Sequence, residues 1–214
     1  MNEADATWWA RARSMLFVPG TRPYRFDKAV AANADAVVVD LEHSVEHSVE
    51  PDDKAAARVA VDSWIGGRTH VVLRINAFDS PWASDDLAMV AGGAAVMLPK
   101  ATIESMTRAR GTVPAGVPLF ALVETPRGVT DLVDLCQVGT PLRLCFGGID
   151  CALAMGVSSP GGPLADDARA RIAVVAAVSG QGATVVGGQI ADRPVVERAR
   201  RLLASNDELG EPAR

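Results

Sequence analysis

Arg74, Lys100, Glu124 and Asp150 stand 26, 24 and 26 residues apart, each at or just past the end of an apolar run. A charged side chain delivered once per unit, always at the same end, is what a ring of parallel strands places at its C-terminal mouth. Glu124 and Asp150 follow consecutive runs. Neighbouring strands lie about 4.8 Å apart, so these two carboxylates can reach one ion. Two carboxylates, with water and substrate completing the shell, suit Mg²⁺, a hard cation that keeps several waters. On position alone the two acids equally suit strand-end ion pairs with Lys100 or Arg127, since buried charges are usually paired. Zinc is disfavoured, because His43, His47 and His70 fall in no ligand pattern with Cys136, Cys145 or Cys151.

The elements that must position these groups are seven apolar runs: 14–18, 36–41, 70–76, 95–99, 119–124, 143–148 and 183–188. Between them lie Ala-, Arg- and Glu-rich stretches of helical character, among them PDDKAAARVAVDSW, IESMTRARG, ADDARARIAVVAAVSG and RPVVERARRLLASN. Strand–helix alternation with short loops implies parallel strands joined by right-handed crossovers. The runs are apolar on both faces, as expected of a sheet covered by helices.

At 214 residues and 49% hydrophobic content the chain can bury one real core. The expectation is a single domain over 1–214, with 1–12 a leader and 206–214 a flexible tail. A net charge of −5, with Lys and Arg scattered instead of striped, argues against a nucleic-acid partner. No apolar run approaches the roughly 20 residues that span a bilayer, and MNEADATWWARARSM has no apolar signal core, so no membrane partner and a cytoplasmic location are expected. The three cysteines form no C-x-x-C pair and read as reduced, buried small hydrophobes. The four tryptophans read as packing residues.

Five stretches occur in order: RSMLFVPGTRPYRFDKAVAANADAVVVDLE, LRINAFDSPWASDDL, VMLPKA, FALVETPRG and LCFGGIDCALAMG. Over roughly residues 13–156 they resemble the citrate lyase β-subunit family, within the HpcH/HpaI aldolase superfamily. The resemblance implies an α/β fold of TIM (β/α)₈ type and a Mg²⁺-dependent lyase that makes or breaks carbon–carbon bonds in acyl-CoA thioesters of hydroxy acids. It implies that Arg74 grips the carboxylate of an oxo acid and that Glu124 and Asp150 hold the metal. It also implies assembly as a homo-oligomer, since relatives form trimers or hexamers. Lys100 then reads as a structural cation beside the substrate, because a metal-using aldolase needs no imine. The Gly147–Gly148 pair lets the backbone come close to a ligand.

Two departures from the family pattern stand out. Where relatives read D-L-E-D, this chain has Asp40, Leu41, Glu42 and His43, followed by a second copy of EHSV. The duplication reads as a four-residue insertion after the second strand, and the duplicated histidines are not assigned to metal. Asp40 and Glu42 are expected near the metal's water shell, with Glu42 one candidate for the general base beside a metal-bound water or a residue of a partner subunit. The second departure lies after residue 188, where the family's GF-x-GK-x-x-IHP segment has no match. A (β/α)₈ barrel takes about 250 residues, so the expectation is a truncated barrel with the eighth strand missing.

Two functions fit. One is a lyase acting on a citryl-, malyl- or citramalyl-type thioester. The other is a degenerate paralogue that binds Mg²⁺ and a small oxo acid as a non-catalytic or regulatory subunit. An intact Arg74, Glu124 and Asp150 favour the first; the altered loop and missing strand favour the second.

Overall fold

The computed structural model describes residues 8–42, 51–92, 94–139, 141–157, 161–179 and 182–184. Seven strands form one sheet in sequence order: β1 Met15–Pro19, β2 Ala36–Asp40, β3 Val71–Arg74, β4 Ala95–Leu98, β5 Leu119–Val123, β6 Arg143–Phe146 and β7 Gly182–Thr184. Every neighbouring pair is parallel. The helices are α1 Trp8–Arg11, α2 Phe26–Ala31, α3 Pro51–Ile65, α4 Ala83–Ala88, α5 Ile103–Thr112, α6 Pro126–Thr130, α7 Leu132–Gly139, α8 Gly148–Ala154 and α9 Pro163–Val178. An all-parallel sheet that keeps sequence order is a curled part of a TIM-type barrel. The expected loss of the eighth strand concerns residues 185–214, and the second EHSV copy is residues 46–49; both lie outside the described residues.

Alternation along the strands divides the apolar side chains between two cores. Val37, Val39, Leu73, Val96, Leu98, Ala121, Val123 and Phe146 belong to the larger one, shared with the helices. Val38, Val72, Met97, Phe120, Leu122 and Cys145 fill the smaller one, inside the curl. The period of two carries this inner face onward to Asp40, Arg74 and Glu124. The buried strands therefore aim the charges at the mouth.

The opposite end is stoppered by a segment expected to be a leader. Trp8, on α1, packs into the inner core, stacked on His70 at 5.0 Å and tilted against Phe120 at 6.5 Å. Arg143, buried at the start of β6, donates to the carbonyls of Trp9 and Ala12 and ties α1 down. Cys136, Cys145 and Cys151 are unbridged and buried, as expected. No helix among the described residues is long and apolar enough to cross a membrane.

Five strands, β2 to β6, stop short of their apolar runs. Leu41 and Ile75 are fully buried yet lie past β2 and β3, while Gly147 and Gly148 cap and begin α8. His70 precedes β3 with φ +64°, a turn conformation. The runs continue into buried loop residues, so hydrophobicity alone overestimates the strands.

Candidate functional site

Glu124 follows β5 directly, and the residues after it explain why it is held so firmly. Thr125 caps α6 by accepting the Gly128 N–H at 3.0 Å, and Pro126 occupies the first helical turn, where no amide is needed. Gly128 packs so closely that a Cβ there would come within 2.8 Å of the Ala101 carbonyl. Ala101 in turn donates its N–H to Leu122 at 3.0 Å, which fastens the loop after β4 to β5. Lys100, one residue earlier, has φ +47° and donates its backbone N–H to Glu124 Oε1 at 2.8 Å.

The other carboxylate oxygen of Glu124 is buried with no hydrogen-bond partner among the described residues. Gly147 walls it in, since a Cβ on Gly147 would stand 2.6 Å from both Cβ and Oε2 of Glu124. Burial first, then the charge of Glu42, with a smaller push from Asp150, raises the Glu124 pKa to about 8 against the pull of Arg74 and the Lys100 N–H. An orphaned, desolvated carboxylate oxygen beside two further acids suits a cation.

Arg74 ends β3 opposite Asp40 in the β2–β3 register. Its Nε donates to Asp40 Oδ1 at 2.9 Å and its NH2 to Oδ2 at 2.7 Å, the two-pronged pairing of guanidinium and carboxylate. NH1 lies 3.5 Å from Glu42 Oε2. The ring of Phe17 lies beneath the guanidinium, 5.2 Å from Cζ to its centroid. Burial works against the Arg74 charge, but the bonds and charge of Asp40, then Glu42 and Glu124, outweigh it and raise the pKa. The fork expected for a substrate carboxylate is thus engaged by Asp40, and NH1 is the prong aimed toward the acids.

Glu42, 1% exposed, accepts an ion pair from Lys100 Nζ at 2.8 Å and closes the cluster. Its backbone N–H donates to Asp40 Oδ1 at 3.0 Å. Lys100 therefore clamps two glutamates, one with its amide and one with its ammonium. Asp150 lies in the first turn of α8, half-buried, near enough to act on Glu124 electrostatically. Gly148 is the buried first residue of that helix. Arg127, an alternative partner for Glu124, is exposed and pairs instead with Asp131. The expected site residues Glu42, Arg74, Lys100, Glu124, Gly147 and Asp150 all meet at one mouth. Among the described residues no three His, Cys, Asp or Glu side chains gather as a self-sufficient metal cage, so an ion here needs water or substrate ligands.

Sequence reasoning missed Asp86 and Arg58, which form a buried ion pair beside the mouth. Arg58 sits on an ordinary-looking helix, and Asp86 looks like a first-turn acid of α4. The only sequence signal is an Asp in an otherwise buried helical register.

A family model described as HpcH/HpaI aldolase/citrate lyase matches residues 13–204. The citrate lyase β subunit of M. tuberculosis, solved with oxaloacetate and magnesium, is 31% identical, with a TM-score of 0.71, over 92% of this chain and 89% of that one. An L-malyl-CoA/β-methylmalyl-CoA lyase of Cereibacter sphaeroides is 32% identical over 170 residues, 70% of this chain and 52% of its own length. A (3S)-malyl-CoA thioesterase of the same species is 30% identical over 125 residues, 58% of this chain and 44% of its own length. The chain thus spans about half the length of these two curated relatives.

Proposed function

Because the chain belongs to the HpcH/HpaI aldolase/citrate lyase family, we propose that it is a Mg²⁺-dependent carbon–carbon lyase. Its substrate is a citryl-, malyl- or citramalyl-CoA-like thioester, cleaved to, or formed from, an oxo acid and an acyl-CoA. The observation that carries this reading is Glu124, whose buried Oε2 is unpartnered among the described residues and faces Gly147 beside Asp150. Oxaloacetate and magnesium in the M. tuberculosis structure, and malyl-CoA in the names of the curated relatives, support the substrate class.

Glu124 and Asp150 are the residues that would hold the ion, which when bound supplies Lewis-acid polarisation of the substrate's hydroxyl and carboxylate oxygens. The protein's own groups divide the remaining work. Arg74, fixed by Asp40, directs NH1 at the carboxylate of the oxo acid and offsets its charge. Lys100 holds Glu124 Oε1, so that Oε2 is the oxygen presented to the mouth. Glu42 takes the hydroxyl proton. As that proton leaves, the C–O bond becomes a carbonyl and the electron pair of the breaking C–C bond moves to the thioester as its enolate. Return of the proton held by Glu42 to the enolate carbon completes the acyl-CoA and restores the carboxylate. Gly147 and Gly148 keep the backbone thin where the thioester must approach.

The test is whether oxo acid appears from a hydroxyacyl-CoA when Mg²⁺ is present and fails to appear in its absence. A homo-oligomer, trimer or hexamer, belongs to the same proposal. It is supported by β1, which pairs only with β2 among the described residues. Light scattering at micromolar concentration decides it, a monomer removing that part.

A further inference from the structure

A buried polar chain runs from α3 to the residue before Glu42. Asp86, on α4 and 0% exposed, accepts three hydrogen bonds and one further ion-pair contact, so that both its oxygens are engaged. Arg58 gives Nε to Oδ1 at 2.8 Å, with NH2 also 2.8 Å from that oxygen. Asn76 gives its backbone N–H and its Nδ2 to Oδ2, at 2.8 and 2.7 Å. The same Nδ2 also donates to the carbonyl of Leu41 at 3.2 Å. Leu41 is gripped from its other side, its N–H bonding the Arg74 carbonyl at 2.9 Å.

We propose that Arg58, Asp86 and Asn76 form a positioning unit for Glu42. An ion pair that served only the core would need no link to the mouth. This one is linked, because the Asn76 amide bridges Asp86 to the peptide that carries Glu42. Glu42 has its own N–H on Asp40, so its backbone is fixed on both sides while Lys100 and Arg74 orient its carboxylate. Asp86 has no unsatisfied oxygen to offer a substrate. Its work is to hold the Asn76 amide where it reaches both acceptors, and Arg58 holds Asp86 from behind.

The kinetic consequence rests on the lyase reading, in which Glu42 takes the hydroxyl proton. A misplacement of about 1 Å costs on the order of a hundredfold in rate, and Asn76→Ala, which slackens one of several restraints, should lower kcat roughly tenfold. KM and Mg²⁺ affinity should stay within about twofold, because the described hydrogen bonds of Arg58, Asp86 and Asn76 lead to the Leu41–Glu42 peptide and not to Glu124. Arg58→Lys, which keeps the charge but loses the forked contact, should act in the same direction and replaces Asn76→Ala if that variant does not fold.

The decisive experiment is a double-mutant cycle with Glu42→Gln. If the unit works through Glu42, adding Asn76→Ala to Glu42→Gln costs little further kcat; losses that multiply would overturn the proposal. The same cycle is read in the urea unfolding midpoint of the metal-free protein, where non-additive shifts sustain the proposal and additive shifts overturn it. A parent protein with no turnover would defeat the lyase reading alone, since the unfolding cycle decides the positioning without a reaction.

Discussion

The backbone N–H of Lys100 donates to Glu124 Oε1 at 2.8 Å from a left-handed conformation, φ +47°. A side chain in that region costs about 1–3 kcal/mol and persists only where its surroundings demand it. Here the demand is visible, since the conformation lets one residue hold Glu124 with its amide and Glu42 with its ammonium.

Lys100→Gly and Lys100→Ala separate these two roles. Both remove the ammonium, but Gly takes the left-handed conformation at no steric cost. Lys100→Gly should be more stable than Lys100→Ala by about 1 kcal/mol and should bind Mg²⁺ as the parent does, with reduced kcat. Urea unfolding and calorimetry measure the two quantities. Equal stabilities would show that the backbone at Lys100 relaxes when the side chain is lost.

The raised pKa of Glu124, about 8 against an ordinary 4.5, sets a pH dependence. Between these values the folded protein keeps a proton that the unfolded chain releases, so the stabilisation from this group is present below about pH 4.5 and is lost as pH rises through 8. The metal-free protein should therefore become less stable between about pH 5 and about pH 9, by roughly a few kcal/mol. Glu124→Gln should remove that slope while weakening Mg²⁺ binding. In the parent, Mg²⁺ competes with the proton and should bind more tightly as pH rises. Unfolding midpoints and Mg²⁺ titrations across this range check both statements, and a flat profile in the parent would place the Glu124 pKa near its ordinary value.

Gly147 has no room for a methyl group, as a Cβ would meet Glu124 at 2.6 Å in two places. Gly147→Ala should cost about 1–3 kcal/mol by overpacking and displace Oε2, so that Mg²⁺ affinity falls with stability. A variant that loses stability but keeps Mg²⁺ affinity would separate Gly147 from the metal site.

Arg74 and Asp40 make opposite predictions for charge and geometry. Arg74→Lys keeps the charge but cannot hold Asp40 with two parallel bonds while aiming a third group at the mouth, so oxaloacetate affinity should fall about tenfold or more. Asp40→Asn keeps the shape and removes the charge that fixes Arg74, and should lose less. Oxaloacetate titration ranks them. Equal affinities in the parent and in Arg74→Lys would mark Arg74 as structural.

Most of this site was legible as positions. The spacing of Arg74, Lys100, Glu124 and Asp150 located the mouth, because a repeating βα unit brings its strand ends to one level. Their partners were not legible. The bond between Arg74 and Asp40 depends on register across two strands separated by more than thirty residues, and no local pattern encodes it. Asp86 reads as a polar first-turn residue of α4 until tertiary packing buries it against Arg58. Trp8 lay in a segment expected to be a leader, yet its indole finds the bottom of the inner core. The apolar runs outlast the strands for a related reason: Leu41 and Ile75 are as apolar as strand residues because the loops that carry Glu42 and Asn76 are themselves buried.

The lyase reading is tested most directly by a mass balance. Purified protein is incubated with malyl-, citramalyl- or citryl-CoA, with Mg²⁺ or with chelator, and oxo acid, acyl-CoA and free CoA thiol are quantified together. A lyase yields oxo acid and acyl-CoA in equal amounts with one of these substrates, only when Mg²⁺ is present, and none from Glu124→Gln. Release of free CoA and hydroxy acid without any oxo acid would contradict it and point to thioester hydrolysis, while no turnover of any of the three would leave a protein that binds but does not cleave.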